Sequence, residues 1–184
     1  MKRVELELAI FTASQIIRQE TVLVIGSQSI LGSFEESELP QRATMSQEVD
    51  IAPLSDDAEE SLATRIDVVA GEWSDFDRLH GFYIQGVSVK TAYLPDNWAT
   101  RVVVVSPPQH SEISGLCLES HDLCAAKLAR NDQKDREFVS ALVSARLVSA
   151  EVIAERVSAI TDTRFLKMQR EAALSFIGSL KPVT

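Results

Sequence analysis

The stretch 22-VLVIGSQSILGS-33 decides how the first half of this chain is interpreted. The run TVLVIG, Thr21 to Gly26, is continuously apolar and ends in glycine, which predicts a strand buried on both faces of a sheet. Residues 28–31 can then begin a helix. Glycine allows the backbone to approach a ligand closely, and exposed amides at a helix start can hold phosphate. The Gly26-Ser27 pair is therefore either an ordinary turn or part of a binding site.

The next predicted strand is EVDIAPL, which runs from Glu48 to Leu54, alternates acidic and apolar residues, and is stopped by Pro53. Because residues i and i+2 of a strand point to one face, the carboxylates of Glu48 and Asp50 converge, about 6 to 7 Å apart. Two such charges repel each other unless a cation lies between them. Mg²⁺ readily binds one or two carboxylates together with substrate phosphates. The alternative interpretation is a solvated face of an edge strand.

A third feature is the charged segment HDLCAAKLARNDQKDREFVSAL, residues 121–142. Lys127 and Lys134 lie seven residues apart, which predicts that they share one helix face, with Asp135 and Arg136 beside the second lysine. A lysine near a triphosphate neutralises charge that develops on the leaving group. An ordinary charged helix surface would show the same pattern.

The whole chain predicts an α/β (α+β) fold with two parts. Residues 1–118 would form a mixed sheet with flanking helices, and residues 119–184 a C-terminal helical region packed on it, since glycine and proline become rare and a 3.6-residue periodicity takes over. Both tryptophans, Trp73 and Trp98, are predicted to pack inside the fold. The remaining predictions are a helix over 3–19 (with a strand as the alternative), a loop over 32–46, a helix over 55–70 that opens with SDDAEE, strands over 82–84, 88–93 and 101–105, and helix N-caps at Ser149 and Asp162.

Composition and charge exclude several classes of protein. The 184 residues include 27 acidic and 18 basic side chains, a net charge of −9, whereas proteins that grip duplex DNA usually carry the opposite balance. We therefore expect no bulk DNA binding. The acidic N-terminal segment is not a signal peptide, and no run approaches the roughly 20 apolar residues that span a bilayer. Cys117 and Cys124 are expected to be buried free thiols, so we expect a cytoplasmic protein without a membrane partner.

Four stretches carry a resemblance to a known family: VIGSQSILGSF, SQEVDIAPL, GEWSDFDRLHGFYIQGVSVKTAYLP and HDLCAAKLARNDQKDREF. Gly-Ser after a strand, followed by an acid-x-Asp on the next strand, looks like the motif of the nucleotidyltransferase superfamily. More closely, the chain resembles a family of small bacterial nucleotidyltransferase-like proteins of unassigned function. That family is related to toxin nucleotidyltransferases of abortive-infection and toxin–antitoxin systems, some of which transfer nucleotides from a triphosphate to RNA ends or protein hydroxyls.

The resemblance implies a nucleotidyltransferase-like sheet and a set of site residues. By position, Gly26 and Ser27 would cradle phosphates, and Glu48 with Asp50 would bind Mg²⁺. Glu48 stands where the superfamily most often has aspartate, so its reach to a metal is longer. The implied substrate is a nucleoside triphosphate, and the implied partners are an RNA or protein acceptor and an antitoxin protein.

The same resemblance assigns roles outside the two strands. Lys127 would contact the triphosphate, Asp135 would be an additional acid near the site, and Arg42 could reach a phosphate from its loop. A third strand-borne carboxylate is not evident, and Asp67, Glu72 and Asp135 are open alternatives for it. Two functions follow: a Mg²⁺-dependent nucleotidyltransferase, with Glu48, Asp50, Lys127 and Asp135 as catalytic residues, or a catalytically inactive interaction or regulatory protein on the same fold.

Overall fold

The apolar run that ends at Gly26 forms the central strand of a five-stranded mixed sheet. The structure is a computed structural model, and it describes residues 1–180. Within these residues the strands are β1 (Thr21–Val24), β2 (Glu48–Pro53), β3 (Tyr83–Gly86), β4 (Val103–Val105) and β5 (Ser114–Cys117). The helices are α1 (Arg3–Ile17), α2 (Gln41–Thr44), α3 (Ser61–Ala70), α4 (Asp75–His80), α5 (Ser120–Arg130), α6 (Gln133–Ser144), α7 (Ala150–Ser158) and α8 (Lys167–Ser179).

The strand order, β3-β2-β1-β5-β4, explains the composition of the central strand. β1 pairs antiparallel with β2 and parallel with β5, while β2 and β3 are parallel and β4 and β5 antiparallel. Val22 and Val24 are fully buried and Leu23 nearly so, as the continuous apolar run predicts. Because β1 and β2 run in opposite directions, the end of β1 lies beside the start of β2, where the Ile25 amide donates to the Asp50 carbonyl at 3.1 Å.

Helices α1 and α3 contact each other, and both pack against the strands, α3 mainly against edge strand β3. α1 buries an apolar stripe that includes Leu6, Ile10 and Ile17, which gives the helix a 3.6-residue spacing of core positions. α3 approaches β3 so closely that a Cβ on Gly86 would lie 1.8 Å from the carbonyl oxygen of Ala63. A glycine is therefore required where this helix crosses the strand.

The helices that follow β5 share the hydrophobic core with the sheet. The fully buried carboxylate of Asp122 in α5 binds Arg101 through two hydrogen bonds, at 2.7 and 3.0 Å, and lies 3.2 Å from Arg156 of α7. This cluster joins α5 and α7 to the loop before β4. The mixed α/β fold with C-terminal helices is as predicted, and the division into two domains at residue 118 stays a prediction.

Several local predictions are confirmed and others are wrong. Ser149 caps α7 by accepting from the Val152 amide, but Asp162 binds Arg164 instead of capping α8. Residues 88–93 form a 3₁₀ turn at Val89–Thr91, because the side chains of Ser88 and Thr91 bond to the local backbone in place of a strand partner. Residues 28–31 likewise lie in a 3₁₀ helix, Ser27–Gly32.

Three further differences concern the helices and the strands. The predicted loop contains the single-turn helix α2, and the acidic SDDAEE segment precedes α3, where the Asp56 carboxylate accepts from the amides of Leu62 and Ala63. Strand β5, SGLC, escaped prediction because it is short, contains glycine and lacks β-branched residues. α4 was likewise not predicted.

The tryptophans and cysteines differ in their outcomes. Trp98 packs against the core, but the prediction for Trp73 is wrong, since its exposed fraction is 78%. Cys117 on β5 and Cys124 on α5 are buried free thiols, as predicted. No helix among residues 1–180 has the length and apolar content needed to cross a bilayer.

Candidate active site

The end of β1 and the start of β2 open into a pocket of about 420 Å³, which lies within the usual range for small-ligand sites. Its lining includes all seven residues singled out from the sequence, which come from the segment just after β1 and from β2, α2, α5 and α6: Gly26, Ser27, Arg42, Glu48, Asp50, Lys127 and Asp135. The structure therefore brings together residues that are up to about a hundred positions apart in the chain. The remaining question is what each of them contacts.

Gly26 is a glycine because the carboxylate of Asp50 fills the space that a side chain would occupy. A Cβ built on Gly26 would lie 1.6 Å from Oδ2 of Asp50 and 2.5 Å from its carboxyl carbon. The backbone of Gly26 is extended, with φ −87°, so the requirement is one of space and not of an unusual dihedral angle. The sequence predicted a close approach at this glycine, and the approaching group is a carboxylate of the protein itself.

Glu48 and Asp50, called here the carboxylate pair, lie on one face of β2 as the alternating pattern predicted. Burial is the largest cause of a raised pKa at Asp50, and the charge and hydrogen bond of Glu48 add to it, so that the pKa rises from 3.8 to about 7 against smaller opposing effects of Lys127 and Arg130. At neutral pH the pair therefore keeps a proton part of the time, because burial and the adjacent carboxylate both disfavour the ionised form.

Tyr83 on β3 is a site residue that the sequence reasoning missed. The parallel register places Tyr83 beside Glu48 and Gln85 beside Asp50. The phenol of Tyr83 donates to Oε2 of Glu48 at 3.2 Å. Burial and the charge of Glu48 raise the pKa of Tyr83 to about 12, so the phenol stays protonated and remains a donor. The only advance signal was the predicted strand over 82–84, which did not give the register.

The opposite side of the pocket carries four cations: Arg42, Lys127, Arg130 and Lys134, called here the basic wall. Lys127 and Lys134 do not share a helix, because Asn131 (φ 63°) ends α5 and Asp132 caps α6. Both lysines nevertheless line the pocket.

Asp135 holds two members of the basic wall in place. Its carboxylate is fully buried and accepts from Nζ of Lys127 at 2.9 Å and from Nε of Arg130 at 3.2 Å. Lys127 also lies 4.7 Å from the centre of the Phe138 ring, a favourable cation–π geometry. Both carboxylate oxygens thus bind cations. Asp135 therefore positions the side chains of Lys127 and Arg130.

The other two cations of the basic wall are held differently. Arg42 in α2 forms an ion pair with Glu137 of α6. Lys134 has no hydrogen bond or ion pair with any residue in the part of the chain that the structure describes. Its ammonium group is therefore available to an anion that enters the pocket.

The three alternatives for a third carboxylate lie apart from the carboxylate pair. Asp67 and Glu72 are on α3 and in the turn after it, outside the pocket lining, and Asp135 is engaged with cations. Among residues 1–180 there is no group of three or more histidine, cysteine, aspartate or glutamate side chains arranged to hold a metal ion. Gln85, the residue of β3 that is paired with Asp50, carries an amide and not a third acid.

The comparison with known families agrees with this geometry. The sequence profile of a family described as a nucleotidyltransferase of unknown function (DUF6036) matches residues 4–176. The chain belongs to this nucleotidyltransferase family. The matched range contains every pocket residue named above. No functionally curated protein and no solved structure is similar to the chain by the same kind of comparison.

The carboxylate pair fits a divalent cation of the magnesium type. Carboxylate oxygens are hard ligands, and Mg²⁺ in proteins is commonly held by one or two carboxylates, with waters and substrate phosphates completing six positions. Burial and the neighbouring Glu48 raise the pKa of Asp50, and a cation bound at the pair would favour the ionised form of both acids. The donor set therefore fits one Mg²⁺ that shares its coordination with a bound phosphate.

Proposed function

We propose that this chain is a Mg²⁺-dependent nucleotidyltransferase that moves a nucleotidyl group from a nucleoside triphosphate to a hydroxyl of an RNA or protein acceptor. The observation that carries the proposal is the opposition, in one pocket, of the carboxylate pair and the basic wall. In this proposal a metal lies at the pair and phosphates lie at the wall. A metal–triphosphate complex requires this charge distribution. Family membership supports this class of reaction.

The roles of the residues follow from their contacts. Glu48 and Asp50 would hold Mg²⁺, which when bound polarises the reacting phosphate and stabilises the leaving pyrophosphate. Gly26 gives Asp50 room, and Tyr83 fixes the orientation of Glu48. The backbone at Gly26-Ser27 lies at the pocket wall, where its polar groups can approach phosphate oxygens.

The basic wall would bind the triphosphate chain. Lys127, held by Asp135, presents a fixed positive charge, and Lys134 presents a free one. Arg42 would exchange its ion pair with Glu137 for a phosphate. In the transfer, the acceptor oxygen bonds to the α-phosphorus, the bond from that phosphorus to the β-phosphate oxygen breaks, pyrophosphate leaves, and the hydroxyl proton passes to water.

The proposed cellular setting follows the family resemblance. Relatives of this kind act as toxins controlled by an antitoxin, and we extend that relation to this chain as part of the proposal. Two buried free thiols fit a reducing compartment, which supports a cytoplasmic location.

The test is a calorimetric titration of the purified protein with ATP, GTP, CTP and UTP, with and without Mg²⁺. We expect one or more triphosphates to bind only when Mg²⁺ is present. Asp50→Ala should abolish this binding, and Asp67→Ala, which removes an exposed carboxylate outside the pocket, should leave it unchanged. Failure of all four triphosphates to bind would disprove the proposal.

A second candidate function is a catalytically inactive interaction or regulatory protein on this fold. The specific observation in its favour is that no three acids of residues 1–180 are arranged to hold a metal ion, since the third carboxylate of the pocket lining, Asp135, is bonded to cations. Incubation with a triphosphate labelled at the α-phosphate, together with total RNA and protein, separates the two candidates. Label transfer that Asp50→Ala removes supports the enzyme, whereas triphosphate binding without transfer supports the regulatory protein.

A further inference from the structure

The two helices that pack on edge strand β3, α3 and α4, expose several large apolar side chains. Val68, Val69, Trp73 and Leu79, called here the α3–α4 surface, have exposed fractions of 75, 50, 78 and 78%. They lie on two contacting helices and the turn between them, within residues 68–79. Large apolar side chains that are exposed together mark sites of interaction with other molecules.

Trp73 is held in an exposed position by its neighbours. Its backbone is left-handed, with φ 68°, a conformation that bulky residues rarely adopt. The Trp73 amide donates to the Asp77 carboxylate at 3.0 Å, and its carbonyl accepts from Arg78 at 2.7 Å. A strained residue that side chains on both sides keep in place is a frequent feature of ligand-contacting segments. The indole is thus presented to solvent by a fixed turn.

This surface is adjacent to the proposed reaction site. α3 and α4 both pack on β3, the edge strand whose Tyr83 bonds to Glu48. Glu72, which precedes Trp73, is close enough to Tyr83 for its charge to contribute to the raised pKa of the phenol. The α3–α4 surface is thus connected to the carboxylate pair through Tyr83 of the shared edge strand, whereas the basic wall lies on other helices.

The basic wall and the α3–α4 surface differ in the sign of their charge. All four cations of the basic wall lie on α2, α5 and α6, where the triphosphate would bind. Around the α3–α4 surface the charged side chains are mostly acidic, because Arg78 pairs with Asp75 and the further acids are Asp67, Glu72 and Asp77. RNA would bring its phosphates against these carboxylates, and a second copy of the chain would bring the same acids against themselves.

We propose that the acceptor of the transfer is a protein segment that combines lysine or arginine with apolar residues and docks on the α3–α4 surface. The proposal rests on the proposed function for the identity of the reaction. The apolar residues would cover Trp73 and Val69, the cations would face Glu72 and Asp77, and a hydroxyl of the segment would reach the carboxylate pair past the edge of β3. This decides between the two acceptor classes, RNA and protein, in favour of protein.

The first experiment measures docking without nucleotide, by fluorescence anisotropy of labelled probes on the full chain. The probes are a peptide of repeated Lys-Leu-Ser units, a matched peptide of Glu-Leu-Ser units, and an oligouridine of equal length. We expect the lysine peptide alone to bind, and its affinity to fall as salt is raised. Trp73→Ser should weaken this binding about tenfold, as expected for an aromatic anchor.

The controls keep the result specific to this surface. Met168→Ser removes an equally exposed apolar side chain, 74% exposed, on α8 and should leave the affinity unchanged. Because Trp73 is outside the core, Trp73→Ser should also keep the circular dichroism spectrum and the triphosphate affinity of the unaltered protein. Glu72→Gln should reduce the affinity for the lysine peptide and flatten its salt dependence.

Each outcome has a defined meaning. Lysine-peptide binding that is unaffected by Trp73→Ser, or oligouridine binding that requires Trp73, would overturn the inference. Binding of the lysine peptide through Trp73 in a protein that binds no triphosphate would disprove the proposed function and keep the docking surface. Transfer of label to the serine of the lysine peptide, lost in both Trp73→Ser and Asp50→Ala, would support both proposals together.

Discussion

Two carboxylates of the pocket, Asp50 and Asp135, illustrate opposite ways of keeping an acid out of water. Asp135 is surrounded by the cations Lys127 and Arg130, and both of its oxygens are bonded. Asp50 has Glu48 as its nearest charged neighbour, and its pKa rises to about 7. The first arrangement stabilises the fold, and the second reduces stability unless a cation enters. This difference indicates that Asp135 has a structural role and that Asp50 is a candidate for ligand binding.

The largest loss of stability is expected when Asp135, the acid whose two oxygens are both bonded to cations, is removed. Asp135→Ala leaves the charge of Lys127, a largely buried side chain, without its partner and should lower the free energy of unfolding by about 3 kcal/mol. Urea denaturation measures this loss. Asp75→Ala, which removes an ion pair whose carboxylate is 95% exposed, should change stability by less than about 0.5 kcal/mol. Equal effects of the two variants would show that Asp135 does not support the basic wall.

The opposite change, an increase in the free energy of unfolding, is expected for Asp50→Asn. Because burial and Glu48 raise the folded-state pKa from 3.8 to about 7, the folded state keeps a proton that the unfolded state releases in this range. The free energy of unfolding should therefore fall as the pH rises from about 4 to about 7 in the unaltered protein. Asp50→Asn lacks this fall and should be more stable by about 4 kcal/mol at pH 8, without divalent cations, and similar at pH 4.

Urea denaturation across this pH range measures the difference for Asp50→Asn. Asp67→Asn, an exposed acid outside the pocket, should follow the unaltered protein at every pH. Parallel pH profiles for Asp50→Asn and the unaltered protein would mean that folding does not raise the pKa of Asp50.

Alanine substitutions at two glycines, Gly26 and Gly178, test the contact that positions Asp50. In Gly26→Ala the new methyl group would occupy the place of Oδ2 of Asp50, so the carboxylate must move. We expect the free energy of unfolding to fall by about 1–3 kcal/mol and Mg²⁺-dependent triphosphate affinity to fall at least about tenfold. Gly178→Ala, a helical glycine with no atom within 4 Å of the new methyl group, should instead stabilise the protein by about 0.5–1 kcal/mol. Unchanged triphosphate affinity in Gly26→Ala would argue against a role for Asp50 in binding.

The smallest effect on stability is expected for Tyr83→Phe, which removes one hydrogen bond to Glu48 and should cost about 1 kcal/mol or less. Its effect on metal affinity should be larger, about tenfold, because an unanchored glutamate is a poorer ligand. A titration with Mn²⁺ followed by electron paramagnetic resonance measures this affinity directly. Tyr93→Phe alters the other tyrosine of the chain, which contacts the Phe165 ring and does not line the pocket, and should bind Mn²⁺ normally.

The parts of the site that the sequence predicts are those set by local rules. Strand alternation alone places Glu48 and Asp50 on one face, and the glycine after an apolar run marks the end of β1. Tyr83 could not be found in this way, because its position depends on the register between two strands that are 35 residues apart. The pairing of Lys127 with Asp135 likewise depends on the break at Asn131, which turns one apparent helix into two.

Trp73 shows the limit of hydrophobicity as a guide. A large aromatic residue is expected to be buried, and the sequence analysis predicted this for both tryptophans. Trp73 is exposed because two neighbours, Asp77 and Arg78, fix its backbone in a left-handed turn. The fold class could be predicted without local detail of this kind, since the apolar run of β1 and the helical periodicity after residue 119 were sufficient.

The position of β1 at the centre of the sheet has a consequence for the synthesis of the chain on the ribosome. β1 can pair with β2 early, but its other neighbour is β5, where Thr21 pairs with Ser114. Lys127, Arg130 and Asp135 leave the ribosome later still. A nascent chain thus has Arg42 and the carboxylate pair long before the other three cations of the basic wall, and pairings so distant in sequence form slowly. The protein therefore cannot bind a triphosphate until most of the chain has been made and folded.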